Sequence, residues 1–130
     1  MVKFGYTILY VNDVTKSIEF YEKAFGFNRK FISPDNDYGE LATGETTISF
    51  ASHTLAASNL KDGFTPSGLN QKPFAIELGF ITDDVAAIFE LAAKHGAAQV
   101  AAPKQKPWGQ TVAYVRDIDG FLVEICTPMG

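Results

Sequence analysis

Residues 11–27 read VNDVTKSIEFYEKAFGF, and residues 81–97 read ITDDVAAIFELAAKHGA. Each segment leaves a β-branched and aromatic stretch, passes an aspartate and ends at a glycine. An aspartate in that place accepts a backbone N–H two or three residues on and starts a helix. Val14, Ile18, Tyr21 and Phe25 then recur at helical spacing, as do Val85, Ile88, Leu91 and Ala92. Gly26 and Gly96 can take the left-handed conformation that stops a helix. The helices are therefore expected near Val14 to Phe25 and Asp84 to His95. The second cap is Asp83 or Asp84; Asp13 and Asp84 are 71 residues apart and the two glycines 70, so one pattern is written twice.

Strands flank both helices. In the first half they are expected at Phe4 to Val11, Phe27 to Ser33, Tyr38 to Thr43 and Thr46 to His53. The turns between are Pro34-Asp35-Asn36-Asp37 and Gly44-Glu45. In the second half they are expected at Phe74 to Ile81, Ala97 to Ala102, Gln110 to Arg116 and Phe121 to Thr127. The last two flank the turn Asp117-Ile118-Asp119-Gly120, which makes a hairpin. Between the halves, Thr54 to Pro73 is rich in Ser, Asn, Gly, Pro and Lys and reads as a connecting arm. The expected organisation is one domain: module one at 1–53, the arm at 54–73 and module two at 74–130.

The gross numbers fit. The chain has 130 residues, 46% hydrophobic and 20% charged, which is ordinary globular composition and enough for a core. The formal net charge is -4 and no basic run occurs, so nucleic acid is not an expected partner. No apolar run approaches a membrane span, and the N-terminus lacks the look of a signal peptide. Cys126 is the single cysteine, which rules out an intrachain disulfide and fits a cytoplasmic location.

Side chains alternate along a strand, so each sheet has two faces. Leu9, Val11, Ile48 and Phe50 form one face of the first half; Ile76, Leu78, Phe80, Val123 and Ile125 form one of the second. These read as floors under the helices. The opposite faces hold Tyr6, Tyr10, Ser49, Glu77 and Glu124, and a sheet that curls would make a groove of them.

This pattern resembles the vicinal oxygen chelate superfamily, which contains glyoxalase I, extradiol dioxygenases, fosfomycin-resistance enzymes and bleomycin-resistance proteins. The matching pieces are the two opening segments and PWGQTVAYVRDIDGFLVEI at residues 107–125. The resemblance covers nearly the whole chain. It implies an α+β fold of two β-α-β-β-β modules whose curved mixed sheets surround a central groove, commonly completed in a homodimer.

In metal-using members the resemblance implies one ligand from each of four strands, usually His or Glu. Those places fall at Tyr6, Ser49, Glu77 and Glu124. Ala75 or Ile76 takes the third place under another alignment. Only Glu124 carries a type common at its place, and a phenol and a hydroxyl are poor ligands for zinc-like ions. No metal and no cofactor is therefore expected; a metal, if present, would use Glu77 and Glu124. His95 reads as a helix-end residue, where a cation suits the dipole. His53 reads as a strand-end surface residue, with ligation as the alternative.

The other candidates are ligand contacts. Trp108, in a Pro- and Gly-punctuated loop, can stack on a flat molecule. Tyr6 and Tyr10 offer rings and hydroxyls, and Gln110 a polar contact. Glu77 and Glu124, if they meet, would raise at least one pKa, and Glu124 is the candidate general base. Arg116 is a possible ion-pair partner for them. Cys126 reads as a small buried hydrophobe. The expected function is metal-free binding of a flat or partly apolar small molecule, like the drug-sequestering, antibiotic-resistance branch. The alternative is a metal-dependent enzyme of the glyoxalase I or dioxygenase kind.

Overall fold

The computed structural model describes residues 1–129. Two compact units follow one another along the chain, Met1–Pro66 and the residues from Ser67 onward.

In the first unit, β1 (Thr7–Val11) leads to α1 (Val14–Phe25), then to β2 (Asn28–Ile32), β3 (Tyr38–Ala42) and β4 (Thr47–Ser52). The sheet order is β1-β4-β3-β2. β1 runs parallel to β4, and β4, β3 and β2 are antiparallel neighbours. Asp13 caps α1 by accepting from the Lys16 N–H, and Gly26 ends it at a φ of 74°. Val14, Ile18, Tyr21 and Ala24 are fully buried, and the Tyr21 ring lies 5.3 Å from that of Phe50. Gly39 is paired with Phe50 under this helix; a Cβ there would stand 2.5 Å from Cδ1 of Ile18. The missing side chain is what lets α1 settle onto the sheet.

The second unit repeats the plan. β5 (Leu78–Ile81), α3 (Val85–Lys94), β6 (Ala98–Gln105), β7 (Thr111–Arg116) and β8 (Leu122–Cys126) form a sheet of order β5-β8-β7-β6, with β5 parallel to β8. Asp84 caps α3 through the Ala87 N–H, and His95 is its C-terminal cap residue. Phe89 on α3 and Ala113, Val115, Val123 and Ile125 on the sheet are buried. The fold is therefore α+β with two mixed four-stranded sheets, each in the expected β-α-β-β-β order.

Four differences from the sequence reading exceed a single residue. The expected arm contains a helix, α2 (His53–Asn59), whose cap is Ser52. Ser52 accepts from the Leu55 N–H and donates to Asp37, and this switches the chain from strand to helix one residue before the expected strand end. β1 starts at Thr7 instead of Phe4, and β5 at Leu78 instead of Phe74. Phe4 and Ile76 are both exposed: their β-type side chains face no partner strand. β6 runs on to Gln105, past the expected end at Ala102, because Lys104 and Gln105 still pair with Val112 and Thr111.

Arg116 also differs. The sequence offers it as an ion-pair partner for the glutamates. Instead, the buried guanidinium donates to three backbone carbonyls, those of Gly120, Gln71 and Gly68, at 2.9, 2.7 and 2.8 Å. It ties residues 68–71 to the β7–β8 turn. Gly120 lies against Gly68 so closely that a Cβ would stand 2.7 Å from the Gly68 carbonyl. Among the described residues no helix is long and apolar enough to cross a membrane.

Candidate functional site

Both sheets present polar and aromatic side chains on the face away from their long helix. In the second unit the register sets Glu124 between Gly79 on β5 and Tyr114 on β7. The Tyr114 hydroxyl lies 3.1 Å from Oε2 of Glu124 and 3.4 Å from Oε1 of Glu77. One phenol thus joins two carboxylates. Partial burial and then the neighbouring Glu124 charge push the Glu77 carboxyl above its usual range, although the Tyr114 hydrogen bond opposes this. The Tyr114 phenol is pushed up to about 12, first by burial and then by its bond to Glu124. Cys126, two residues along on the same face, is buried, and its thiol is pushed up to about 11 by burial and by Glu124. A thiol in that state is a poor nucleophile.

In the first unit Ser49 lies between Ile8 on β1 and Glu40 on β3, and Ala51 lies between Tyr10 and Tyr38. The Tyr38 phenol donates to Glu40 at 2.7 Å. Its pKa is raised, chiefly by burial, while the nearby Ser49 hydroxyl pulls the other way. Ser49 is fully buried, and despite that neighbour its Oγ meets no hydrogen-bond geometry. Tyr6 is about half exposed. Tyr10 packs edge-on against Phe64 at 4.9 Å between ring centroids, and Phe64 in turn lies 5.7 Å from the ring of His53. His53 is not the surface residue expected: it opens α2, is half-buried, and its Nε2 is buried without a partner. The cause is Phe64, whose ring comes back from the segment after α2.

Trp108 and Gln110 form a third group. The Trp108 indole N–H donates to Gln110 at 2.8 Å, and Gln110 donates to the Thr127 carbonyl at 2.9 Å. The ring is held in place yet is 64% exposed, beside an open depression of about 610 Å³ that Lys104, Lys106 and Pro107 also line.

Of the expected site residues, the structure brings Glu77 and Glu124 together, and Trp108 with Gln110. Sequence reasoning missed Tyr38, Glu40, Phe64 and Tyr114. Tyr114 was within reach: counting back from the Asp117–Gly120 turn sets it opposite Glu124. Phe64 carried no such signal.

The donor set bears on metal binding. At the four places the resemblance marks, Tyr6 and Ser49 offer neutral oxygens, and Glu77 and Glu124 share the Tyr114 phenol. Among the described residues, no group of three or more His, Cys, Asp or Glu side chains converges as a metal site would need. The residues present do not fit a zinc-like ion.

Comparison with known proteins places this arrangement in a lineage. The glyoxalase-like domain model matches residues 4–130. The uncharacterized protein YraH of Bacillus subtilis is 30% identical over 119 residues, which is 90% of this chain and 91% of the relative. A glyoxalase-related enzyme from Fulvimarina pelagi superposes with a TM-score of 0.83 at 18% identity, over 98% of this chain and 89% of that one. A glyoxalase/bleomycin resistance protein/dioxygenase family enzyme from Burkholderia phytofirmans does so with a TM-score of 0.80 at 22% identity, over 97% and 98%. The chain belongs to the glyoxalase-like family, within the vicinal oxygen chelate superfamily.

Proposed function

We propose that this glyoxalase-like protein binds a flat, partly apolar small molecule without a metal, as a drug-sequestering protein does. The observation that carries the reading is the phenol of Tyr114 on Glu77 and Glu124. Its single proton serves one carboxylate at a time, and its oxygen lies within hydrogen-bond reach of both groups that a metal would need. The aromatic faces fit the ligand class: Tyr10, Tyr38 and the exposed Trp108 offer rings with polar tips. The reading includes a homodimer in the cytoplasm, for which the unpaired cysteine and the exposed Phe4, Ile76 and Ile81 are the supporting features.

A second reading has one observation of its own. The Glu77 carboxyl, raised above its usual range by burial and by the neighbouring Glu124, stands beside it, and in a metal-free enzyme Glu124 is the candidate general base.

Elemental analysis of protein purified without a histidine tag tests the leading reading, followed by the same measurement on Glu124→Ala. Well under a tenth of an equivalent of nickel, zinc, iron and manganese is expected in both. About one equivalent in the first sample, lost in the second, would overturn it and favour the metal-dependent alternative. Titration with bleomycin, followed by Trp108 emission, gives the first probe of ligand binding. Sedimentation at micromolar concentration checks the dimer, and a monomer would refute that part.

A further inference from the structure

Among the described residues two buried side-chain atoms have no hydrogen-bond partner, Oγ of Ser49 and Nε2 of His53. They are not scattered. Ser49 lies in β4, and His53 follows the last residue of that strand. The intervals Ser49, Ala51, His53 keep one parity, and Ser52 between the last two is still extended at φ −63° and ψ 154°. Both orphaned atoms therefore belong to the face away from α1. An unpaired buried hydroxyl or imidazole nitrogen carries a desolvation penalty that native proteins avoid unless it serves something.

Ala51, small, lies between them on the strand and is flanked across the sheet by Tyr10 on one side and Tyr38 on the other. Their strands sit one on each side of β4, so the tyrosine backbones are roughly 10 Å apart. A ring already rests at one end of this stretch. Phe64 packs on both Tyr10 and His53, and it comes from residues after α2 that form no helix or strand. At the other end Glu40 stands beside Ser49 in the register and accepts from Tyr38. Turning that phenol aside frees the Glu40 carboxylate next to the Ser49 hydroxyl.

We infer that this face of the first unit takes an elongated aromatic compound lying along β4. Its amine end meets Ser49 and Glu40, its hydroxyl end meets Nε2 of His53, and its ring displaces Phe64 over Ala51. The orphaned atoms stand four residues apart, so the polar ends are separated by about 13 Å or somewhat less, as the side chains lean inward. This rests on the metal-free binding reading and specifies its ligand class.

The test uses 4-amino-4′-hydroxybiphenyl as probe and unsubstituted biphenyl as control, with Kd measured by calorimetry. Ser49→Ala and His53→Phe are the variants. Neither orphaned atom meets hydrogen-bond geometry within the protein, although the Ser49 hydroxyl lies near the Tyr38 phenol, and thermal melts confirm folding. The expected result is a loss of about tenfold in probe affinity relative to biphenyl affinity in each variant, since each removes one hydrogen bond that only the probe can make. The imidazole ¹⁵N resonance of His53 should also shift on adding the probe to the unsubstituted protein. Three outcomes overturn the inference: no probe binding at millimolar concentration, equal affinity for probe and biphenyl, or probe affinity unaffected by either variant. None of these touches the metal measurement, which alone decides the reading beneath it.

Discussion

Replacing Arg116 by methionine removes a charge but keeps an unbranched side chain of similar length. The guanidinium is 9% exposed and donates to the carbonyls of Gly120, Gln71 and Gly68. Hydrogen bonds from a charged donor are the stronger kind. Their net value is reduced here, because the native protein also bears the cost of burying the charge. About 1 kcal/mol per bond is then a fair figure, and the three together come to about 3 kcal/mol. Against a total stability of roughly 5–15 kcal/mol that is a large share. It should lower the melting temperature by roughly 10 °C for a chain of this size. Arg116→Lys should recover only part, since an ammonium is a point and cannot reach three carbonyls in a fork. Urea denaturation at pH 7 gives the two free energies, and limited proteolysis should find residues 67–73 cleaved faster in the methionine variant. A loss under about 1 kcal/mol for methionine, or full recovery by lysine, would refute the claim that this side chain fastens the segment.

The remaining predictions concern the two faces. The Glu77 carboxyl is raised above its unfolded value, so folding favours its protonated form, and that contribution fades as pH rises through the folded pKa. Glu77→Gln should therefore gain stability relative to the unmodified chain as pH rises above the ordinary carboxylate value of 4.5; urea midpoints showing the reverse trend would contradict this. Gly39→Ala pushes a Cβ toward Ile18, Val14 and the Phe31 carbonyl, and should cost about 1–3 kcal/mol in the same assay. The Cys126 thiol, held near 11 against an ordinary 9.0, should react about a hundredfold more slowly with a disulfide reagent at pH 8 than after unfolding in urea. Equal rates would show that it is not buried in solution.

The fold was legible because its signal is repeated and local. Asp13 and Asp84 cap, Gly26 and Gly96 stop, and the apolar residues between them keep helical spacing, so each element agrees with its neighbours. α2 escaped because Ser52 has two uses. Its sequence context reads as strand, and only its side-chain bond to the Leu55 N–H shows that a helix begins there. The site was legible in part for a related reason. Alternation puts Tyr10, Ser49, Glu77 and Glu124 on the right faces, but which of them touch depends on register. The register of β7 against β8 follows from a tight turn, so Tyr114 beside Glu124 could have been counted out. Phe64 on His53 depends on how residues after α2 fold back, and no periodicity encodes that.

The two sheets solve one electrostatic problem in different ways, and this bears on what the protein can bind. Each buries part of a carboxylate on the face away from its long helix, and each supplies a tyrosine to it. In the first unit Tyr38 and Glu40 lie two residues apart on one strand. In the second, Tyr114 reaches across from β7 to Glu124 on β8 and on to Glu77. The strand that carries Glu124 in one sheet carries Ser49 in the other, at the matching place beside Ile8 as Glu124 is beside Gly79. The repeat has thus moved its carboxylate from the β8 position to the neighbouring β3 strand while keeping a phenol beside it. A metal would require the carboxylates to converge and be free; here each is hydrogen-bonded to a phenol. Under the binding reading proposed above, such faces suit a ligand that can exchange hydrogen bonds with a phenol and a carboxylate while stacking on rings, which is the chemistry of an aromatic amine or alcohol.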